Sequence, residues 1–458
     1  GDDHQKLFAL DTMKDMSPTP WASDLRDLFR NGTPVVQQKV LQLARDEKGI
    51  ISDEDIVRVM KSEDDSLAAE AMIVCGERKL EQGHQLLKTT LISTNDRRRS
   101  AAAAGILVMS KGDTAEARRT LDSMLFDPNN KTQVAALKSV GKFPEILTDD
   151  GLTTLLRDDA AEVRRLANEL SMERTSLALI PPLVDNLETA ATAPSARWAL
   201  KSYESSEVTR TLLEKLDDTD ASADLKTGVI RSLSEYAEEE QTDVLISRLA
   251  DAEQPVAREI VDALVKISRR KALTEKQLNQ TAEILESVIN NNYRYLELLR
   301  QFKDDDTSFL VKDQLKTSIE RLRTQVLKLS LLPFPESPVE TFLLTLAGGD
   351  PSAKANVLEI LDNLLARETR ERIVPLFDDS SLEEKTAIGK RVASFDTIQK
   401  TDVLVEWAES SDIWTSAVAI DYITVHNLAD LVANGKINWE QVPSSNLIQE
   451  VCSIDWYG

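Results

Sequence analysis

Few residues in this chain have types and spacing that could do chemistry. His4, His84 and His426 are scattered along the sequence, and neither H-E-x-x-H nor C-x-x-C occurs. A zinc site needs such ligands close together, so no metal site is expected. Cys75 and Cys452 each sit among apolar neighbours and read as small core residues rather than a disulfide pair. No glycine-rich phosphate loop and no G-x-S-x-G is present. The run from Asp218 through Asp220 to Ser222 has the alternating oxygens of a calcium loop. Ala223 then stands where such a loop needs glycine, and Val229 where it needs a bidentate glutamate. It reads as a solvated turn. The expectation is a protein with no catalytic residue, no cofactor and no metal, and not an enzyme.

Residues that could bind a partner are easier to find. Arg97, Arg98 and Arg99 form the sharpest basic run, placed where a helix should begin and its dipole disfavours cations. They suit contact with an anionic partner; the plainer and preferred reading is a ladder onto nearby acidic residues such as Asp96 and Asp65. Four of the six tryptophans, Trp407, Trp414, Trp439 and Trp456, fall near the C-terminus. Exposed aromatics suit a binding patch; large side chains also seal the last repeat of an array. Trp407 and Trp414 are the candidates for partner contact. Asp362-Asn363 is a polar break in an apolar helix and suits a hydrogen bond to an adjacent turn or a ligand. Asn31, Asn130 and Asn279 open N-x-T triplets of the kind chance supplies.

The elements that must position these residues repeat. The stretch Ala161–Leu170, AEVRRLANEL, places Val163, Ala167 and Leu170 on one helical face behind an acidic turn at Asp158-Asp159. A matching small or branched residue recurs at Val40, Ala71, Ala104, Ala136, Ala167, Ala199, Val229 and Ile260, about 31 residues apart. In most copies a second core residue follows (Leu43, Val74, Val108, Val140, Leu170, Tyr203, Leu233, Leu264). Gly76 and Gly141 read as helix C-caps and Thr33-Pro34 as an N-cap with proline at the first helical position. First helices such as GLTTLL, TRTLLEKL and DVLISRL lie between the slots. Gly and Pro number only 15 each and aromatics are 5%, which favours helices joined by short turns around an aliphatic core.

Two helices per period of about 31 residues resemble HEAT-like repeats, and V-R-x-x-A at Val163–Ala167 is the fullest copy of their pattern. The expected fold is an all-α right-handed superhelix of about eleven such pairs. A polar lead covers 1–18 and repeats cover 19–270. A long antiparallel hairpin, inserted in or replacing a repeat, covers 271–335. Repeats resume over 336–430 with slots at Val357, Ile388 and Ala419, and a cap at 431–458 uses Val451, Ile454, Trp456 and Tyr457. The net charge of −23 opposes binding to phosphate backbones, so no nucleic-acid partner is expected. No apolar run is long enough to insert in a membrane, and no secretory signal peptide opens the chain. Because the first residue is Gly1, a piece of a longer protein or a processed product is expected.

From NNNYRYLELLRQF through DPSAKANVLEILDNLLARETRERIVPLFDD, within Leu278–Asp379, the sequence resembles the HEAT-repeat region attached to bacterial membrane proteins with nucleotide-translocase-like or major-facilitator-like transporter domains. The resemblance implies a non-enzymatic regulatory or scaffolding part. It also implies a protein partner or the chain's own membrane domain as ligand, and a cytoplasmic place at the inner face of the membrane, with the periplasm left open. A HEAT-like lyase or DNA-repair enzyme is the alternative; the second would need a basic groove.

Overall fold

The structure is a computed structural model that describes residues 2–13, 16–109, 114–302, 306–348, 350–393, 399–410, 412–426 and a few positions from 428 to 448. Trp439, Val451, Cys452, Ile454, Trp456 and Tyr457 lie outside the described residues. Those described form helices and turns with no strand: the protein is all-α and built of HEAT-like helix pairs. It divides into two compact units, Gly1–Ser232 and Leu233–Gly458.

In the first unit, α1 (Asp3–Thr12) precedes a run of helix pairs: α2 (Ala22–Asn31) and α3 (Pro34–Leu43), α4 (Asp53–Val59) and α5 (Asp65–Glu77), α6 (Glu81–Thr90) and α7 (Asp96–Met109), α8 (Ala115–Leu125) and α9 (Asn130–Val140). Then come α10 (Asp149–Leu156) and α11 (Ala161–Ser171), α12 (Ile180–Asp185) and α13 (Ala193–Leu200), and α14 (Ser205–Asp217) and α15 (Ala223–Tyr236), whose last turn, from Leu233, belongs to the second unit. Successive second helices from α3 to α13 stack on one another. The slot explains why. Val40, Ala71, Ala104, Ala136, Ala167, Ala199 and Val229 are all fully buried, and a small side chain there lets neighbouring helix axes approach closely. The residue expected to follow is off by one in two copies: Ala44 and Met109 are buried where Leu43 and Val108 are half-exposed.

Two glycine and cap expectations are corrected. Gly76 is not a C-cap but lies inside α5, where an added Cβ would stand 2.5 Å from Gly105 Cα on α7. The two helices cross backbone on backbone. The turn that ends α5 uses Lys79 in the left-handed region, φ 54°, with Leu80 N donating to Cys75 O and Lys79 N to Gly76 O. That is the Schellman arrangement with lysine where glycine is usual. Gly141 does close α9, but in a right-handed conformation. Thr33 precedes Pro34 as expected, yet its hydroxyl donates to Asp3 (2.6 Å) instead of capping α3.

Unit two begins as the first ends. α16 (Glu239–Leu249) and α17 (Gln254–Arg270) form a further pair. Then come α18 (Glu275–Gln301), started by a Thr274/Gln277 capping box, and α19 (Phe309–Ser330). α18 packs on α16 and α19 on α17, so this long pair occupies a repeat's place in the rows. Three more pairs follow: α20 (Val339–Ala347) and α21 (Pro351–Leu364), α22 (Arg367–Phe377) and α23 (Leu382–Val392), α24 (Lys400–Ala408) and α25 (Ile413–Val425). They fold back along the long pair. Tyr293 of α18 is fully buried, donates to Arg372 O (2.8 Å) on α22 and lies against Gly389 of α23. Arg372 pairs with Glu286, Arg294 with Glu406 (3.4 Å), and Gln314 of α19 donates to Thr415 of α25 (2.6 Å).

The slot expected at Ile388 moves here. Ile388 is half-exposed, and Gly389 is the buried residue because the Tyr293 ring fills the space a side chain would take. Val357 and Ala419 are buried as expected.

Candidate interaction surfaces

Among the described residues no group of three His, Cys, Asp or Glu side chains comes together to hold a metal. Asp218 instead accepts from its own turn, the amide of Asp220 (2.9 Å), and pairs with Lys215 (3.3 Å). The Cys75 thiol is buried and donates to Leu80 O; burial, with Asp53 nearby, pushes its pKa up to about 12. A thiol so protonated is a poor nucleophile. His426 stacks on Tyr422 at 4.0 Å between centroids.

Arg97, Arg98 and Arg99 open α7 and turn back to neighbouring turns. Arg98 donates to Asp65 (2.5 Å) and to Ser62 O (2.6 Å). Arg99 donates to Asp96 (2.5 Å) and Ser93 O (2.7 Å), and Arg97 to the Ser66 hydroxyl (2.5 Å). Asp96 in turn accepts from Thr132 (2.7 Å) of α9. The carboxylates offset the unfavourable dipole at this helix start.

A second arginine series was not read from the sequence. Arg78, Arg174 and Arg270 stand three repeats apart at the ends of second helices. Arg78 donates to Ala44 O and Arg45 O, just past α3. Arg174 reaches Pro144 O and Leu147 O, and Arg270 reaches Ser234, Glu235 and Ala237 O at the end of α15. Each guanidinium donates to backbone carbonyls at or just past the end of the preceding repeat's second helix, where the helix ladder supplies fewer N–H donors. Regular spacing of Arg after the slot was the available signal. Asn168 was missed too. Beside Ala167 on α11, it is fully buried, accepts from Asn186 (3.0 Å) and donates to Ser195 (2.9 Å). It reads as surface by type alone.

The two tryptophan candidates separate. Trp407 is 5% exposed and meets the Tyr295 ring edge-on at 6.2 Å. Trp414 is 50% exposed. It shares the first turn of α25 with Ile413, and α25 packs on α19, whose first turn carries Phe309 and Leu310. The Gln314–Thr415 hydrogen bond joins the two helices near these residues. All four side chains are more than a third exposed, Phe309 most of all. This is an apolar patch on the outside of the second unit. Asp362 and Asn363 hold no ligand-like geometry: Arg370 pairs with Asp362 (3.2 Å), and Asn363 bonds back to Glu359 O (3.0 Å).

Two grooves lie among the described helices. One, about 300 Å³, lies between α1 and α2, lined by Leu10, Met13, Trp21 and Leu25. The other, about 510 Å³, is lined by Phe334, Pro335, Glu336, Ser337, Pro338, Phe342, Ile360 and Leu364. No described helix is long and apolar enough to cross a membrane.

No family model matches this chain, and no curated protein does. Among solved structures it is similar to Kap121p bound to Nup53p, at 12% identity over 90% of this chain and 50% of that one, with a TM-score of 0.37. Two importin beta structures, solved in ammonium sulfate and in polyethylene glycol, are each 10% identical, with TM-scores of 0.30 and 0.24. This chain covers 96% of itself on the first and 94% on the second, and 62% and 79% of those chains. It thus spans about half the length of the Kap121p chain it matches. These are likenesses of helical-repeat architecture at low identity, and nothing about partners follows from them.

Proposed function

We propose that this protein is a non-enzymatic scaffold that binds a protein partner through the Phe309, Leu310, Ile413 and Trp414 patch. The patch is the observation that carries the reading. Four large apolar side chains, drawn from two packed helices that the Gln314–Thr415 bond joins, stay in water. Exposed apolar surface on neighbouring helices favours burial against another protein, and a large aromatic within it is the usual energetic anchor. The partner presents a complementary apolar face.

The finer reading makes the partner the chain's own membrane domain. It is supported by the resemblance of Leu278–Asp379 to transporter-attached repeats, and it puts the protein at the inner membrane face. The complete reading frame tests it: without transporter helices this finer reading fails while the scaffold reading stands.

The scaffold reading is tested by affinity capture with the wild-type chain and with F309D/W414D, followed by identification and purification of whatever is captured. The expected result is a protein that binds the wild-type chain directly and binds the variant at least about tenfold more weakly. Equal direct binding to both would sink the reading. Unchanged thermal unfolding verifies that the variant is folded.

A further inference from the structure

The groove beside α20 and α21 is chemically different from the Trp414 patch. One wall is Phe334, Pro335, Pro338 and Phe342; the other is Ile360 and Leu364, one turn apart on α21. Phe342 is buried, whereas Ile360 is 42% exposed. Two prolines take backbone N–H donors away from the first wall, so the groove offers apolar contact more than hydrogen bonds. Its rim is acidic. Glu336 lines it, Glu340 sits in the first turn of α20, and Glu359 precedes Ile360; all three are exposed.

Among the described residues no lysine or arginine pairs with these three carboxylates. Cations on the surrounding elements are engaged elsewhere: Lys328 with Asp262 (2.5 Å), Lys354 with Asp379, Arg367 with Glu371 (2.9 Å) and Arg370 with Asp362 (3.2 Å). α20 itself carries no lysine or arginine. An apolar trough with the unpaired Glu336 in its lining and two further unpaired carboxylates on the helices that form it favours a ligand that is apolar on one side and cationic on the other. The ridge at Ile360 and Leu364 has the one-turn pitch that packs against another helix. An anionic membrane surface meets the same charges as repulsion.

We infer that this groove receives a basic amphipathic helix of a protein partner, its apolar face between Phe342 and Ile360 and its lysines or arginines over Glu336, Glu340 and Glu359. The inference extends the scaffold reading to a second surface and does not need the Trp414 patch.

The probes are two labelled helical peptides with one leucine-rich face in common, bearing lysines or glutamates on the other. Fluorescence anisotropy with the full chain should show the lysine peptide binding at least about tenfold more tightly, with the gap narrowing at high salt. E336Q/E340Q/E359Q should lose most of that preference. E54Q/E116Q/E173Q, which removes three exposed acids in the first unit, should keep it. I360E should weaken both peptides with thermal unfolding unchanged. Equal binding of the two peptides, or equal effects of the two triple variants, overturns the inference. F309D/W414D should leave peptide binding intact, so this inference and the scaffold reading fail separately.

Discussion

The two units solve the same packing problem differently. In the first, contacts run between neighbouring repeats: Arg98 reaches Asp65, Thr132 reaches Asp96, and Tyr203 donates to Ser171 O. Each link spans about one period. In the second, α18 and α19 act as a spine. Tyr293 meets Arg372, Gln314 meets Thr415 and Arg294 meets Glu406, at sequence separations of 79, 101 and 112. A stack with neighbour-only contacts loses stability locally when damaged; a spine should spread the damage. The first prediction tests this. Tyr293→Ala and Leu121→Ala both empty a fully buried site, each at a cost of about 3–4 kcal/mol. Hydrogen exchange should rise across α18, α22 and α23 for Tyr293→Ala. For Leu121→Ala it should rise only in α8 and the helices touching it. Confinement to α18 in the first variant would break the comparison.

Glycine crossings differ in the same way. Gly76→Ala in the first unit drives a Cβ to 2.5 Å from the Gly105 Cα, backbone against backbone. Nothing there can rotate aside, so a loss of about 3 kcal/mol is expected in urea unfolding. Gly389→Ala in the second unit meets the Tyr293 ring at 2.6 Å. A ring can tilt, and the expected loss is nearer 2 kcal/mol. Combining Gly389→Ala with Tyr293→Leu should recover part of it. Losses that are equal, and unrelieved in the pair, would show that the spine yields no more than the stack.

How much of this was legible in the sequence follows from the same contrast. The slot from Val40 to Ile260 was readable because each buried residue answers to the next repeat, and period alone carries that relation. Ile388 was misplaced by one because the environment there is set by Tyr293, 95 residues away, which no local period encodes. Gly76 reads as a cap in sequence because glycine near a helix end has two uses, and only the Gly105 partner decides between them. Trp407 and Trp414 look alike in sequence, yet one meets Tyr295 on the spine and the other stays half exposed in the first turn of α25. The exposed patch and the acidic groove were not legible, because each joins segments distant in sequence.

Arg98 sharpens the account of the repeat joints. It is half-exposed, and it bonds both Asp65 and Ser62 O, whereas Arg97 is exposed and bonds one hydroxyl. Arg98→Ala should cost about 1–2 kcal/mol in urea unfolding and Arg97→Ala about 0.5 or less. Arg98→Lys should not recover the loss, since an ammonium cannot reproduce the two-sided fork. Full recovery by lysine would mean that charge alone matters at this joint.

The smallest effect separates the units by the sign of a pH slope. In the first, burial outweighs the nearby Arg45 charge and raises the pKa of Glu77 above its ordinary 4.5. In the second, burial of Glu297 pushes upward, but the hydrogen bonds and charges of Arg300 and Lys390 together win and its pKa is lowered. A raised carboxyl binds its proton better when folded. Its stabilising contribution is therefore complete below about 4.5 and is lost as pH rises through the folded value. A lowered carboxyl contributes fully above 4.5 and loses that contribution as pH falls through the folded value. Gln variants have no such titration. Wild type should thus gain on Glu77→Gln as pH falls from 7 towards 4, and lose ground to Glu297→Gln between 5 and 3. Each change should be about 1 kcal/mol or less. Urea midpoints across that pH range read both slopes, and slopes of the same sign would contradict the assignment of burial to one site and ion pairing to the other.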